Sequence, residues 1–180
     1  ISSACTEDVE TSPERGLDKG TLLRLASCSF VVDKMPIIIT GATGTGKTHL
    51  ACALAAQACR KGFRAIYKRA SRLYDELFLA KADGTYPKML QKLARVDVLI
   101  LDDFGLTKMR EQDRQALLDV LEDRFGNRST IITSQLPPKM WHEYIDSPTI
   151  ADSICDRVVH TAYRVNLAGA SRRQMKKDTD

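Results

Sequence analysis

Short apolar runs recur along this chain and are separated by longer amphipathic stretches. Five runs favour strands by their length and their content of β-branched and other apolar residues: Ile37–Thr40, Ala65–Tyr67, Val98–Leu101, Thr130–Thr133 and Ala162–Leu167. Val98–Leu101 is apolar at every position, which is typical of a strand buried on both faces of a parallel sheet.

The stretches between the runs carry the periodicity of helices, with apolar residues three or four positions apart. This periodicity predicts helices over residues 17–30, 48–60, 72–82, 87–94, 112–125, 138–145 and 150–158. Ser71 is the predicted N-cap of the third helix, and Gly62 the predicted stop of the second. Because strands and helices alternate about five times, we expect an α/β fold in which helices cover both faces of a parallel sheet.

The composition fits one globular domain in a reducing compartment. The chain has 180 residues, of which 43% are hydrophobic and 28% charged, enough for a single core. Its five cysteines form no CxxC pair, which argues against a disulfide framework and against a zinc site. No apolar run approaches the roughly 20 residues that span a bilayer, and residues 1–20 are too polar for a signal peptide. We therefore expect a cytoplasmic protein that does not enter a membrane.

The two ends of the chain lack a core-forming pattern. Residues 1–16 are expected to form a flexible linker or arm, residues 17–169 the folded core and residues 170–180 a basic tail. Because the sequence begins with Ile1, we also expect that an N-terminal region is missing. The net charge of +4 divides into −3 over residues 1–20 and +7 over the other 160 residues. A basic body is compatible with nucleic-acid binding, and equally with an ordinary solvated surface.

A glycine-rich turn follows the first predicted strand and matches the pattern GxxxxGK[ST] in full. Its glycines let successive N–H groups point at phosphate oxygens, and the next helix presents its positive dipole end to the same anion. Lys47 is expected to reach the β- and γ-phosphates of a nucleoside triphosphate, and Thr48 to ligate Mg²⁺ through its hydroxyl. The residues assigned to ATP are Gly41, Ala42, Thr43, Gly44, Thr45, Gly46, Lys47, Thr48 and His49.

Two acids close the buried strand Val98–Leu101. Because the carboxyl ends of parallel strands line the ligand crevice, Asp102 is expected to face Mg²⁺. Asp103 is then expected to polarise the water that attacks the γ-phosphate. The simpler alternative is that both acids cap the turn at Gly105. An aspartate is one methylene shorter than the glutamate common at this place, which leaves a water relay or slow hydrolysis open for Asp103.

A polar pair follows the predicted strand Thr130–Thr133. Gln135, with Ser134 as the second choice, is the candidate for orienting the attacking water and for detecting the γ-phosphate. The alternative is that both residues only begin a polar loop.

Two arginines near the end of the chain are further candidates. Arg157 either pairs with Asp152 or Asp156 on its own helix or reaches the γ-phosphate of a neighbouring subunit as an arginine finger. Arg173 either contacts phosphate within its own chain or belongs to a solvated tail.

In their order along the chain, these blocks resemble the IstB-like ATPases, the helper proteins of a family of bacterial insertion sequences. That family lies in the AAA+ superfamily, close to the helicase loader DnaC and the initiator DnaA. The resemblance extends from about Gly16 to about Arg173 and rests on GATGTGKTHLA, LARVDVLILDDFGL, STIITSQLP, ADSICDRVVH and NLAGASRR.

The resemblance implies a three-layer αβα P-loop fold with a five-stranded, mainly parallel sheet of strand order 5-1-4-3-2. It implies a Walker A loop at Gly41–Thr48 and Walker B acids at Asp102 and Asp103. Gln135 falls where the sensor 1 residue is usually asparagine, Arg157 matches the arginine finger, and Arg173 resembles a sensor 2 arginine.

Proteins of this family bind ATP between subunits and assemble into rings or spirals on DNA. They deliver target DNA to a partner transposase. The expected partners are therefore double-stranded DNA, the transposase and further copies of the chain. The family also has a small N-terminal helical domain that is absent here, so we expect the ATPase core to assemble weakly by itself.

Basic residues around the second strand are candidates for contacts with DNA phosphates, alongside the alternative of an ordinary helix surface. They are Lys68, Arg69, Arg72, Lys81, Lys88 and Lys92, with Tyr86 as a possible neighbour of a sugar or base.

Three other functions remain open on the sequence. A DnaC-type helicase loader shares the nucleotide chemistry and differs in its partner. A nucleotide switch with little hydrolysis is favoured by the short Asp103 side chain. A small-molecule kinase requires an acceptor pocket and an arginine-rich lid, and we find no such lid in the sequence.

Overall fold

The structure is a computed structural model that describes residues 4–169. Five strands form one sheet, in which neighbouring strands are parallel and follow the order β2-β3-β4-β1-β5. The strands are β1 Ile37–Gly41, β2 Ala65–Arg69, β3 Val98–Phe104, β4 Ser129–Ser134 and β5 Tyr163–Leu167. The predicted α/β class is confirmed, and the predicted strand order is confirmed when counted from the β5 edge.

Helices cover both faces of the sheet. They are α1 Lys19–Ala26, α2 Ser29–Val32, α3 Lys47–Arg60, α4 Ala70–Ala82, α5 Tyr86–Arg95, α6 Glu111–Arg124, α7 Trp141–Ile145 and α8 Pro148–Ile154. Alternate residues of a strand face opposite sides. Accordingly, Ile37 and Ile39 pack with α1, α2 and α3, while Ile38 packs with α4, α6, α7 and α8. The sheet is therefore the middle of three layers.

Several predicted boundaries are wrong for local reasons. The helix predicted over 17–30 is two helices, because Cys28 adopts a left-handed conformation with φ 61° between them. The predicted helix at 138–145 begins with a 3-10 turn, Pro138–Met140, before α7. The predicted helix at 150–158 begins at Pro148 as α8 and continues into a π-helical turn, Cys155–Val159.

Ser71 is not an N-cap. It lies inside α4, whose N-cap is Arg69 and has no capping side-chain hydrogen bond. The reason is that β2 ends at Arg69 and α4 begins at the next residue, so no loop separates the strand from the helix.

The segment before α1 packs back on the core and reaches the glycine-rich turn. It contains a 3-10 turn, Pro13–Arg15, and a β-bridge between Ser12 and Leu17. Arg15 donates from Nη2 to the carbonyl oxygen of Thr45, at 3.0 Å. Within residues 4–169, no helix combines the length and the apolar character needed to cross a membrane.

Candidate functional site

The glycine-rich turn joins the carboxyl end of β1 to the start of α3. Gly41 has φ 149°, and a Cβ atom there would lie 2.3 Å from the carbonyl oxygen of Leu167 on β5, so only glycine fits. Gly46 is the N-cap of α3, with φ 94° and no capping side-chain hydrogen bond. The first N–H groups of α3 are therefore available to an anion.

Lys47 and Thr45 fold inward over this turn. The Lys47 side chain is buried and its ammonium donates to the carbonyl oxygen of Ala42 at 2.7 Å, while the Thr45 hydroxyl donates to the same oxygen at 2.9 Å. His49 lies half-buried in the first turn of α3. The residues assigned to ATP thus form one continuous loop and helix start, shaped like a cradle for phosphate.

Asp102 lies at the centre of a network of hydroxyl groups and is only 1% exposed. Its carboxylate accepts hydrogen bonds from Thr48 (2.9 and 3.1 Å), Tyr67 (2.7 Å) and Thr133 (2.5 Å). Burial and the hydrogen bond to Asp102 raise the pKa of Tyr67 to about 12, so that its hydroxyl remains a donor at neutral pH. Three elements, α3, β2 and β4, therefore hold this one carboxylate in place.

The contact between Thr48 and Asp102 fits a magnesium site. A hydroxyl and a carboxylate are the hard oxygen ligands that Mg²⁺ takes together with nucleotide phosphates. Both groups lie at the carboxyl end of the sheet, directly beside the phosphate cradle. The donor set of these residues is therefore compatible with Mg²⁺.

Asp103 leaves the regular strand through a β-bulge. The β3–β4 register steps from Leu101 opposite Ile132 to Phe104 opposite Ser134, which inserts one extra residue into β3. Asp103 has φ 57°, and its amide donates to the Thr133 hydroxyl at 3.0 Å. Its carboxylate Oδ2 lies 3.8 Å from Nε of Arg69.

The polar pair after β4 divides between two roles. The Ser134 hydroxyl donates to the carbonyl oxygen of Phe104 at 2.6 Å and accepts from the amide of Leu136 at 3.0 Å, so it fixes the backbone. Gln135 follows with an exposed side chain. Gln135 therefore lies at the same end of the sheet as the two acids, and Ser134 is committed to the turn.

Arg157 lies in the π-helical turn after α8 and is held by α6. Its Nη2 pairs with Glu122 at 2.6 Å, and its Nη1 donates to the carbonyl oxygen of Ser153 at 2.9 Å. Of the two alternatives for Arg157, the pairing with Asp152 or Asp156 is wrong, because the helix turns Arg157 toward α6 while those two acids pair with histidines.

Arg157 lies far from the phosphate cradle of its own chain. It lines a cavity of about 240 Å³ together with Lys34, Gly126 and Thr161. These three residues precede β1, β4 and β5, so the cavity is at the amino ends of the strands. Since a strand rises about 3.3 Å per residue, the five residues of β1 alone put roughly 16 Å between the two ends.

The predicted basic strip separates into four places. Lys68, Lys88 and Lys92 line a groove of about 660 Å³ between the edge strand β2 and α5, where Arg64 and Arg95 join them. We call this the β2–α5 groove.

Outside the groove, Lys81 lies 4.6 Å above the ring of Tyr86, and the Tyr86 hydroxyl donates to Asp119. Arg72 is exposed on α4. Arg69 lies beside Asp103. The structure therefore brings three of the six predicted residues together.

Sequence reasoning missed the side chains that hold the acids. Tyr67 and Thr133 contact Asp102 across separations of 35 and 31 residues, and Arg15 contacts the glycine-rich turn across 30. The only available signal was Thr133 itself, a polar residue in an apolar strand that lies next to the strand of the acids. Arg173 lies outside the described residues.

The comparison with protein families gives one clear match. The family described as IstB-like ATP binding protein matches residues 2–179. The chain is 47% identical over 174 residues to the insertion sequence ATP-binding protein y4pL of Sinorhizobium fredii, covering 97% of this chain and 71% of that protein. It is 49% identical over 136 residues to the ATP-binding protein of insertion sequence IS1162 of Pseudomonas fluorescens, covering 76% of this chain and 59% of that protein.

Solved structures share the fold at low sequence identity. The DnaC helicase loader aligns with a TM-score of 0.73 and 21% identity, over 92% of this chain and 97% of that chain. The replication initiator DnaA bound to AMPPCP and single-stranded DNA aligns with a TM-score of 0.74 and 20% identity, over 99% of this chain and 54% of that chain. These likenesses show that the chain shares the fold of those proteins.

Proposed function

The chain belongs to the IstB-like ATP-binding protein family, and on this basis we propose that it is a cytoplasmic, Mg²⁺-dependent ATPase that assembles on double-stranded DNA and delivers that DNA to the transposase of its insertion element. The observation that carries the proposal is the contact between Thr48 and Asp102 beside the glycine-rich turn. This contact joins the glycine-rich turn to the acid at the end of β3, although Thr48 and Asp102 are 54 positions apart.

Each residue at the carboxyl end of the sheet has a place in the proposed reaction. The loop amides and Lys47 bind the phosphates. Thr48 and Asp102 would hold Mg²⁺, which would supply positive charge to stabilise the nucleotide phosphates. Asp103 accepts the proton of the attacking water, and Gln135 orients that water. We place Arg173 at a phosphate in its own chain.

Arg157 acts in a neighbouring subunit in this proposal. It lies at the amino ends of the strands, whereas the phosphate cradle lies at the carboxyl ends. A head-to-tail interface brings these two ends of different copies together and generates a ring or a spiral. Glu122 holds Arg157 within the single chain, and the γ-phosphate of the neighbour replaces Glu122 on assembly.

The β2–α5 groove is the proposed path of DNA. Lys68, Lys88 and Lys92 contact the phosphates there without reading the bases. The relatives at 47% and 49% identity carry insertion sequence names, which favours the transposition role over a helicase loader. The likeness to DnaC concerns the fold.

The test is ATP hydrolysis with and without double-stranded DNA by the wild-type chain and four variants: Lys47→Ala, Asp103→Asn, Arg157→Ala and Glu122→Gln. We expect DNA to stimulate the wild type and Lys47→Ala to lose nucleotide binding. Asp103→Asn keeps nucleotide binding and loses hydrolysis. Arg157→Ala loses about 10³-fold or more in stimulated turnover, the value of an arginine finger.

Glu122→Gln is the matched control for Arg157. It removes the same ion pair but leaves the arginine, so it retains turnover if Arg157 acts on a neighbour. An equal mixture of Arg157→Ala and Lys47→Ala adds a second test. In a random head-to-tail assembly, about one interface in four then joins the intact loop of Arg157→Ala to the intact arginine of Lys47→Ala. Recovery of hydrolysis in the mixture supports a shared site, and no recovery together with full activity of Arg157→Ala refutes it.

A further inference from the structure

We propose that Arg15 is a positioning residue for nucleotide binding, which holds the peptide group between Thr45 and Gly46 so that its N–H points toward the bound phosphates. Residues 10–17, which carry Arg15, thereby brace the glycine-rich turn, and we call them the bracing segment. This inference rests on the proposed function, in which that turn binds ATP.

The side chain of Arg15 joins the bracing segment to the turn. Its Nη2 donates to the carbonyl oxygen of Thr45 at 3.0 Å, and its Nη1 pairs with Glu10 at 2.5 Å. The side chain is only 19% exposed, so most of it is withdrawn from water. Because a guanidinium group is rigid and planar, the pairing of one nitrogen with Glu10 directs the other nitrogen at the turn.

The carbonyl group of Thr45 lies immediately before the hydrogen-bond ladder of α3. That ladder begins at the carbonyl oxygen of Gly46, which accepts from the amide of Leu50 at 2.9 Å. Thr45 is 1% exposed, and its amide and hydroxyl both donate to the carbonyl oxygen of Ala42. Arg15 therefore secures the third polar group of Thr45, its carbonyl.

The direction of the Gly46 N–H follows from the planarity of the peptide group. In a trans peptide the C=O and the N–H of one unit point in opposite directions. Since the Thr45 carbonyl points at Arg15, the N–H of Gly46 points away from the bracing segment. Glycine adopts other backbone angles easily, so without Arg15 this peptide group rotates more freely and the turn loses a preformed donor for phosphate.

The backbone holds the bracing segment in place independently of the Arg15 side chain. The carbonyl oxygen of Arg15 accepts from the amide of Ala168, just after β5, at 3.0 Å. Gly16 has φ 72°, and a Cβ atom there would lie 2.0 Å from the carbonyl oxygen of Asn166. Leu17 is 1% exposed in the core. A change of the Arg15 side chain alone therefore leaves the segment docked and removes its contact with the turn.

The experiment measures the Kd of fluorescent ATP and ADP analogues for the wild type, Arg15→Gln, Arg15→Lys and Arg24→Gln. Arg24 is an exposed arginine on α1, and its change removes the same charge. We expect Arg15→Gln to raise the Kd for both analogues about ten-fold, the weight of one hydrogen bond from a charged donor, and Arg24→Gln to match the wild type. Lysine keeps the charge but lacks the second nitrogen, so Arg15→Lys recovers only part of the affinity.

The kinetics of hydrolysis give a readout that separates positioning from general damage. Arg15 holds the turn in the same way before and during the reaction, so the KM for ATP rises in Arg15→Gln while kcat at saturating ATP is unchanged. Urea unfolding without nucleotide is expected to give the same midpoint for Arg15→Gln and Arg24→Gln. A fall in kcat together with a lower urea midpoint for Arg15→Gln identifies a structural role and overturns the inference.

The other failures are distinguishable from one another. If the wild type binds both analogues and Arg15→Gln binds them equally well, the positioning role is overturned and the nucleotide site stands. An equal loss of affinity in Arg24→Gln also overturns it, because the cause is then the charge of the whole chain. If the wild type binds neither analogue, the proposed function fails and the inference fails with it.

Discussion

Replacing Thr133 by valine removes one hydroxyl that forms hydrogen bonds with both Asp102 and Asp103. This hydroxyl donates to Asp102 at 2.5 Å and accepts from the amide of Asp103 at 3.0 Å. Thr133 is fully buried in β4, and valine has nearly the same shape. The substitution therefore tests the hydrogen bonds with little change in packing.

The expected loss of stability follows from the two groups that the hydroxyl satisfies. A buried polar group that loses its partner costs about 1–3 kcal/mol. Asp102 retains the donors Thr48 and Tyr67, so the free-energy cost at Asp102 lies at the lower end of this range. The amide of Asp103 loses the acceptor that Thr133 provides. We expect Thr133→Val to lower the free energy of unfolding by about 2–4 kcal/mol, a large part of the stability of a domain this size.

Urea unfolding at neutral pH without nucleotide measures this loss, and Thr133→Ser is the matched control. Serine keeps the hydroxyl and removes one buried methyl group, which costs about 1 kcal/mol. If Thr133→Ser destabilises the protein as much as Thr133→Val, the methyl packing and not the hydroxyl holds the site, and our account of the acids is refuted.

Three other substitutions test the same framework. The pKa of Tyr67 is about 12 in the folded chain against 10.0 ordinarily, so the stability that this shift contributes is complete below pH 10.0 and is lost as the pH rises toward 12. Tyr67→Phe should therefore reduce the dependence of the unfolding free energy on pH in this window, measured by denaturant titration at each pH. Arg124 is 1% exposed and donates to three carbonyl oxygens and one hydroxyl. Arg124→Lys should lower the unfolding free energy by about 2–4 kcal/mol, because an ammonium group leaves a buried acceptor unpaired. A smaller loss of unfolding free energy than that of an exposed arginine variant contradicts this prediction. Gly41→Ala should abolish binding of a fluorescent ATP analogue, because the added Cβ would lie 2.3 Å from the Leu167 carbonyl oxygen. Gly62→Ala has open space around the added Cβ and should bind the analogue normally. Equal binding by both variants refutes the steric argument.

The sheet and the glycine-rich turn between β1 and α3 were predictable because their signals are local. The cradle is eight consecutive residues, Gly41–Thr48, flanked by an apolar strand and a helix. The run Val98–Leu101 marks a central strand by composition alone, and β3 does lie between two neighbours. Such patterns require no knowledge of which residues meet in space.

The partners of the acids were not predictable in this way. The contacts of Tyr67 with Asp102 and of Arg157 with Glu122 each join residues 35 positions apart. Nothing in the spacing of a tyrosine or a glutamate identifies its partner. The bulge that turns Asp103 out of β3 also leaves no mark in the sequence, since aspartate tolerates a left-handed conformation.

The groups that carry the proposed activities lie at different ends and edges of the sheet. The phosphate cradle lies at the carboxyl ends of the strands, Arg157 at the amino ends, and the β2–α5 groove along the outer strand. If the proposal is correct, one copy has every part of the ATPase but cannot bring Arg157 to its own cradle, so hydrolysis must depend on protein concentration. DNA that occupies the groove contacts β2 and α5, and β2 also contacts the acids beside the cradle. On β2, Tyr67 donates to Asp102 and Arg69 lies beside Asp103, so this strand connects the groove with the two acids.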